Sequence, residues 1–205
     1  MPANQADTAH VSQLVTRARA GDREAFDGLV ELYTPQVYNL VLRITDCREE
    51  AEDCVQEAFV RAFSGLRKFR SEAAFSTWLY RVAVNVANDA AKRRAREPLP
   101  ASDLADSDSP DLPDLNRVGR LTEGRADDPQ EVLLENQRRQ VILRAIRSLP
   151  EHHRTVLVLC DLQGLSYEQI AQITRSRVGT VKSRLNRARL ALKDLLQGHM
   201  ELLRQ

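Results

Sequence analysis

Between Pro98 and Asp128 the chain loses every pattern that builds a folded element. The stretch PLPASDLADSDSPDLPDLNRVGRLTEGRADD holds four prolines and two glycines among many Asp and Ser residues. No periodic apolar face crosses it, so burial cannot offset the entropy of ordering it. It is predicted to be a disordered linker that divides the chain into segments 1–97, 98–128 and 129–205. Each flank must then close its own small core. A flexible coil of this length averages roughly 30 Å end to end, and fully stretched it reaches about 100 Å.

Charge divides the chain at the same places. Residues 1–97 carry 14 basic and 14 acidic side chains, residues 98–128 carry 3 and 8, and residues 129–205 carry 13 and 7. The net charge of +1 hides an acidic middle and a basic end. A basic terminal block suits a polyanionic partner. The N-terminus lacks a signal-peptide pattern, and no apolar run approaches the length of a membrane span. The expectation is a soluble, cytoplasmic protein without membrane insertion. Three cysteines, Cys47, Cys54 and Cys160, have no metal-ligand spacing and read as reduced thiols.

Every periodic segment is helical, and nothing reads as a strand. Val11, Leu14, Val15 and Ala18 form a short amphipathic face ended by Gly21. Asp22 caps a longer pattern through Ile44, with a kink or break expected at Pro35. Asp46 and Glu49 give the start signal for the next helix. Its core face is Ala51, Val55, Ala58, Phe59 and Ala62, opposite Glu49, Asp53, Gln56, Glu57 and Arg61. After a polar loop, Phe75, Leu79, Val82, Val86 and Ala90 set another helix, from which Trp78 and Tyr80 point elsewhere.

Beyond the linker, Asp128-Pro129 is a cap and first-turn pair. The helix it opens carries Val132, Leu133, Val141, Ile142, Ala145, Ile146 and Leu149. Pro150 opens the next helix, which buries Val156, Leu157, Leu159 and Cys160. The fold class is all-α: two small helical bundles joined by the acidic linker.

The second bundle ends in LSYEQIAQITRSRVGTVKSRLNRARLAL, residues 165–192. Ser166 and Gln169 make a capping box for a short helix. Val178, Val181, Leu185, Ala188 and Leu192 place one face of a second helix in the core. Seven basic residues lie between Arg175 and Lys193, and none meets an acid at i±4 within the helix. A short helix, a turn and a basic amphipathic helix are the parts of a helix-turn-helix reader of the DNA major groove. Thr180, Lys182, Ser183, Asn186 and Arg187 are free to face that groove. The alternative is an ordinary packed pair with a solvated basic face.

Catalysis has no sequence support. The four histidines, His10, His152, His153 and His199, form no site with a carboxylate or thiol, and phosphate-loop and nucleophile-elbow motifs are absent. No cofactor or metal is expected. A second binding signal lies in the first bundle, where Phe69, Phe75, Trp78 and Tyr80 alternate with Arg67, Lys68, Arg70 and Arg81. Rings beside cations suit unstacked single-stranded bases; a core aromatic set with a basic rim is the alternative.

The stretches AFDGLVELY, EEAEDCVQEAFVRAF, FSTWLYRVAVNVAND, SLPEHHRTVLVL and GLSYEQIAQI…VGTVKSRLNRAR together resemble the extracytoplasmic-function sigma factors of the sigma-70 family, nearest the envelope-stress group. The resemblance implies sigma region 2 at 1–97 and region 4 at 129–205. It implies docking on core RNA polymerase, at the clamp of its largest subunit and at its flap, with Asp53, Gln56 and Glu57 as exposed contacts on the helix from Glu50 to Phe63. It implies that the loop from Arg67 to Thr77 and the following helix open the −10 promoter element and capture a flipped base. Phe75, Trp78, Tyr80 and Asn85 are the candidates for that pocket, with Arg70, Lys92 and Arg93 as the charged track; Trp78 equally suits the core. The helix-turn-helix would read the −35 element, the linker would thread a basic channel, and an anti-sigma factor would hold the two domains inactive. The alternative function is a stand-alone helix-turn-helix transcription regulator.

One departure from the family pattern stands in the turn. Arg175, Ser176 and Arg177 occupy places usually held by Gly, an apolar residue and Pro. A strained or reshaped turn is predicted there, with Arg175 and Arg177 adding phosphate affinity. Asn186 stands where some relatives carry an aromatic, so the −35 sequence does not carry over.

Overall fold

The computed structural model describes residues 5–45, 47–69, 74–94 and 129–199. Eight α-helices build these residues, with no strand among them: α1 Gln5–Arg19, α2 Arg23–Thr45, α3 Arg48–Gly65, α4 Phe75–Arg94, α5 Pro129–Arg147, α6 Glu151–Leu157, α7 Tyr167–Thr174 and α8 Val178–Leu196. No described helix is long and apolar enough to cross a membrane. The stretch predicted as a linker, 98–128, lies outside the described residues.

The first bundle is α1–α4. Gly21, at φ +101°, turns the chain out of α1. Asp22 then accepts a hydrogen bond from the Ala25 amide at 3.1 Å and pairs with Arg17 at 2.6 Å. The predicted core face of α3 is buried throughout, with Cys54 added to it. The cap of α3 differs from expectation: Cys47 stands there in extended conformation with no side-chain cap bond, and Asp46 lies outside the described residues.

No break occurs at Pro35, and α2 runs through it. Interior proline costs about 3 kcal/mol or more. Breaking the helix there would lift Val37, Leu40 and Val41 from positions where each is 0% exposed, and each buried side chain contributes about 1.5–3 kcal/mol. Burial therefore wins. Glu31 and Pro35 are both exposed, so the carbonyl that loses its partner is on the wet side.

The second bundle is α5–α8. Its core holds Ile146, Leu149, Val156, Leu157, Leu159, Ile170, Ile173, Val181 and Leu185. Two expected core positions are corrected: Ile142 is 37% exposed and Cys160 only half-buried. The cause at Cys160 is a π-helical turn, Val158–Leu162, closed by Gln163 N donating to Val158 O at 3.0 Å. One extra residue in the turn rotates everything after it away from α-helical register. The side chains of Val132 and Leu133 lie outside the described residues.

The two bundles touch. α4 packs against α2 and α3 and also against α7, and one apolar cluster runs through both bundles. Arg154 of α6 reaches across to donate to the carbonyl of Ile44 at 2.9 Å, and also donates to Leu149 O at 3.1 Å. A single guanidinium thus satisfies terminal carbonyls from both bundles.

Candidate nucleic-acid interface

The helix-turn-helix forms as the spacing requires. Ser166 and Gln169 exchange both capping-box bonds, at 3.2 and 2.9 Å. α7 ends on Arg175, in the left-handed region at φ 49° and ψ 44°. It is the one non-glycine residue with positive φ among the described residues. The Ser176 amide donates to Ala171 O at 3.0 Å, and the hydroxyls of Thr174 and Ser176 sit 2.7 Å apart. Those bonds hold an arginine where glycine is preferred.

Val181, Leu185 and Ala188 fix α8 by their burial. Opposite them Arg175, Arg177, Lys182, Ser183, Asn186 and Arg187 are exposed and Thr180 is half-buried. At ~100° per residue, Thr180, Lys182, Ser183, Asn186 and Arg187 share the side of α8 away from its buried stripe. Lys182 Nζ lies 5.9 Å from the Tyr167 ring centroid, on the flank facing α7. Arg189 is differently employed. It pairs with Asp161 of the π-turn at 2.5 Å, a partly exposed ion pair that ties α8 to that turn. The sequence conceals this pair because its members lie on different elements.

The first bundle sorts the aromatic candidates less kindly. Phe69, Phe75 and Trp78 form one cluster, with ring centroids 5.1–6.0 Å apart, and Tyr33 meets Phe75 at 5.4 Å. Phe75 is 6% and Tyr80 7% exposed. The expectation that Tyr80 points away from the core is thus corrected: burial, then the neighbouring Tyr33, push its hydroxyl pKa up to about 12. Trp78 is half-buried, and a Cβ at Gly65 would stand 3.3 Å from its Cζ2. Glycine there lets the indole lie close on the end of α3.

The rest of α4 has one open sector. At ~100° per residue, Trp78, Arg81, Asn85, Asn88 and Lys92 share it, all half-buried or exposed. Arg81 belongs to the cation–aromatic alternation already read in the sequence, whereas Asn88 was not singled out, although its spacing from Trp78 is visible. The side-chain oxygen of Asn88 is buried without a hydrogen-bond partner. Arg93 is exposed beyond the sector. Arg70 lies outside the described residues.

On α3, Asp53 and Gln56 are exposed, while Glu57 is half-buried and pairs with Arg61 at 2.5 Å. Arg61 also reaches Asp89 of α4 at 3.5 Å. The same face carries Val60 and Phe63, 66% and 45% exposed. They border an open groove of about 340 Å³ lined also by Phe26, Phe59 and Arg23. Sequence reading passed over these two apolar residues, whose signal was their position off the core stripe.

Residues 29–97 match the sigma-70 region 2 family, and residues 139–192 match sigma-70 region 4. The chain is 41% identical to the ECF RNA polymerase sigma-E factor of Escherichia coli K12, over 90% of this chain and 93% of that one. It is 38% identical to the RNA polymerase sigma-H factor of Pseudomonas aeruginosa, with the same coverage. Among solved structures it resembles CnrH, in complex with the cytosolic domain of CnrY, at TM-score 0.64 and 22% identity, covering 92% of this chain and 98% of that one. It also resembles the sigma factor RpoE of Bartonella quintana, in complex with the anti-sigma factor NepR, at TM-score 0.60 and 22% identity, covering 84% and 96%. At that identity these two structures speak for the fold. A stand-alone DNA-binding regulator leaves the region 2 match without a purpose. With both regions matched and close relatives aligned nearly end to end, the chain belongs to the extracytoplasmic-function sigma factors of the sigma-70 family.

Proposed function

We propose that this sigma factor divides its work by bundle, with α8 reading the −35 element, α4 opening the −10 element and α3 docking on core RNA polymerase. The observation that carries the reading is the surface of α8: Ser183, Asn186 and Arg187 stand exposed opposite a fully apolar core face. Arg and Lys suit phosphates and guanine edges, and Ser and Asn suit other base edges. Arg175 and Arg177 add phosphate contacts from the turn. On α4 the open sector around Trp78, Arg81 and Asn85 supplies a stacking ring, a cation and an amide to a flipped base. On α3, Asp53, Gln56 and the apolar pair Val60 and Phe63 make a mixed face for the polymerase clamp.

The chain acts where polymerase and promoter are, in the cytoplasm, and contributes no catalytic group of its own. An anti-sigma factor is the expected regulator, in keeping with the structural neighbour RpoE, captured with the anti-sigma factor NepR. Promoter elements two or more duplex turns apart are separated by ~70 Å, at about 34 Å per turn. Helices α4 and α7, packed together here, cannot serve both at once, so the bundles part on the promoter. The segment 98–128 is long enough, at about 100 Å stretched, to span that gap.

Alanine variants of the full chain test the division. Lys182→Ala and Arg187→Ala are expected to weaken −35 duplex binding about tenfold each, with core binding unchanged. Asp53→Ala with Gln56→Ala is expected to do the reverse. Energy transfer between dyes on α4 and α8 should fall when the free chain enters a promoter complex. Equal loss of core binding in the α8 variants, or unchanged transfer, contradicts the assignment.

A further inference from the structure

A group the division of labour leaves unused lies beside the recognition helix. α6 packs on α8 and brings two adjacent histidines to its flank. His152 is exposed and His153 half-buried, with ring centroids 4.3 Å apart. Arg184 and Arg187 of α8 are near enough to act on His153 electrostatically. Arg187 is exposed on the proposed groove face, so the cluster sits at the edge of the surface offered to DNA.

Two other charged groups nearby are already engaged. Arg154 of α6 is turned to the carbonyls of Ile44 and Leu149. Asp161 of the π-turn is bonded to Arg189. Glu151 opens α6 and is half-buried. Burial first, then His152, Arg187 and Arg184, hold the His153 imidazole below its ordinary pKa. Before DNA arrives, a proton on His153 is therefore opposed by the charges around it. A phosphate brought against Arg184 and Arg187 reverses the sign of that local field. An imidazolium then gains a counterion and a hydrogen-bond acceptor.

We propose that His152, His153, Arg184 and Arg187 form a proton-linked phosphate-binding cluster, at which duplex binding takes up a proton. The cluster rests on the reading of α8 as the duplex-contacting helix. It makes DNA affinity rise as pH falls through the histidine range, over and above the salt dependence of the arginines.

The test uses the full-length chain and a labelled mixed-sequence duplex, since phosphate contacts need no particular sequence. Anisotropy titrations are run at constant ionic strength near pH 6 and near pH 8. The wild type is expected to bind about fivefold more tightly at the lower pH. His152→Gln with His153→Gln should bind with nearly the same affinity at both, close to the wild-type value at the higher pH. Calorimetry in two buffers of different ionisation enthalpy should report proton uptake by the wild type and not by the double variant. A wild-type affinity that is flat with pH, or a double variant that keeps the tightening, overturns the cluster. Lys182→Ala separates the two ideas, because it should weaken binding equally at both pH values. Its loss together with a flat wild-type profile overturns the cluster alone, whereas no loss in Lys182→Ala overturns the reading of α8 as well.

Discussion

Arg175 is a residue placed against its own conformational preference. Left-handed backbone costs a non-glycine residue about 1–2 kcal/mol, and glycine would return part of that gain as chain entropy. Arg175→Gly is therefore expected to raise stability by roughly 0.5–1 kcal/mol, read from urea unfolding. It should also lower duplex affinity and reduce the salt slope by about 0.9. Unchanged stability would show an unstrained turn, and an unchanged salt slope would remove Arg175 from the DNA contact. Two buried groups contribute to the alkaline limit. Burial, followed by Glu50 and Glu57, pushes the Cys54 thiol from 9.0 up to about 11, and Tyr80 rises from 10.0 to about 12. The folded state holds both protons more tightly than the unfolded chain does. Their contribution is complete below about pH 9 and is lost as pH climbs toward about 12. Urea midpoints should accordingly fall across that range, with Tyr80→Phe removing the upper part of the decline. A flat profile to about pH 11 would contradict the burial of both groups.

At the scale of elements, what could be read in advance was whatever is encoded locally. The Ser166–Gln169 box carries both of its halves in four residues, and the 3-4 spacing from Val178 to Leu192 aims α8 unaided. The core stripe of α3 was equally plain. What escaped depends on neighbours remote in sequence. Pro35 signals a break, yet the burial of Val37, Leu40 and Val41 overrides it. Tyr80 looked free because its spacing departs from the Phe75–Leu79 stripe, but α4 is enclosed by α2, α3 and α7 and buries a second stripe. The π-turn has no sequence signature, and the helical spacing that would bury Cys160 does not hold through it. The consequence for the candidate site is specific: Trp78 keeps an open side, whereas Tyr80 does not. Trp78→Ala is expected to cut promoter opening about tenfold, measured by permanganate reactivity of unpaired thymines near −10. Tyr80→Phe should leave it unchanged. Equal loss in both would mean that α4 acts through its packing and not through a base-stacking face.

For the whole molecule, two small bundles carry two different surfaces. The contact of α4 with α7 and the reach of Arg154 to Ile44 join them into one apolar cluster. That compact arrangement keeps two DNA-reading surfaces on one small body, where they cannot address sites ~70 Å apart. Polymerase, by docking the bundles separately, would supply the free energy that parts them. None of the chain's individual motifs specifies this; it follows from having both surfaces on one chain. The most direct measurement is run-off transcription with purified core polymerase and genomic promoter fragments, with and without this chain. Discrete transcripts that require the chain, and that weaken with Lys182→Ala or with the Asp53→Ala, Gln56→Ala pair, are the predicted result. Absence of any chain-dependent transcript across its own regulon, while core binding is intact, would contradict the account.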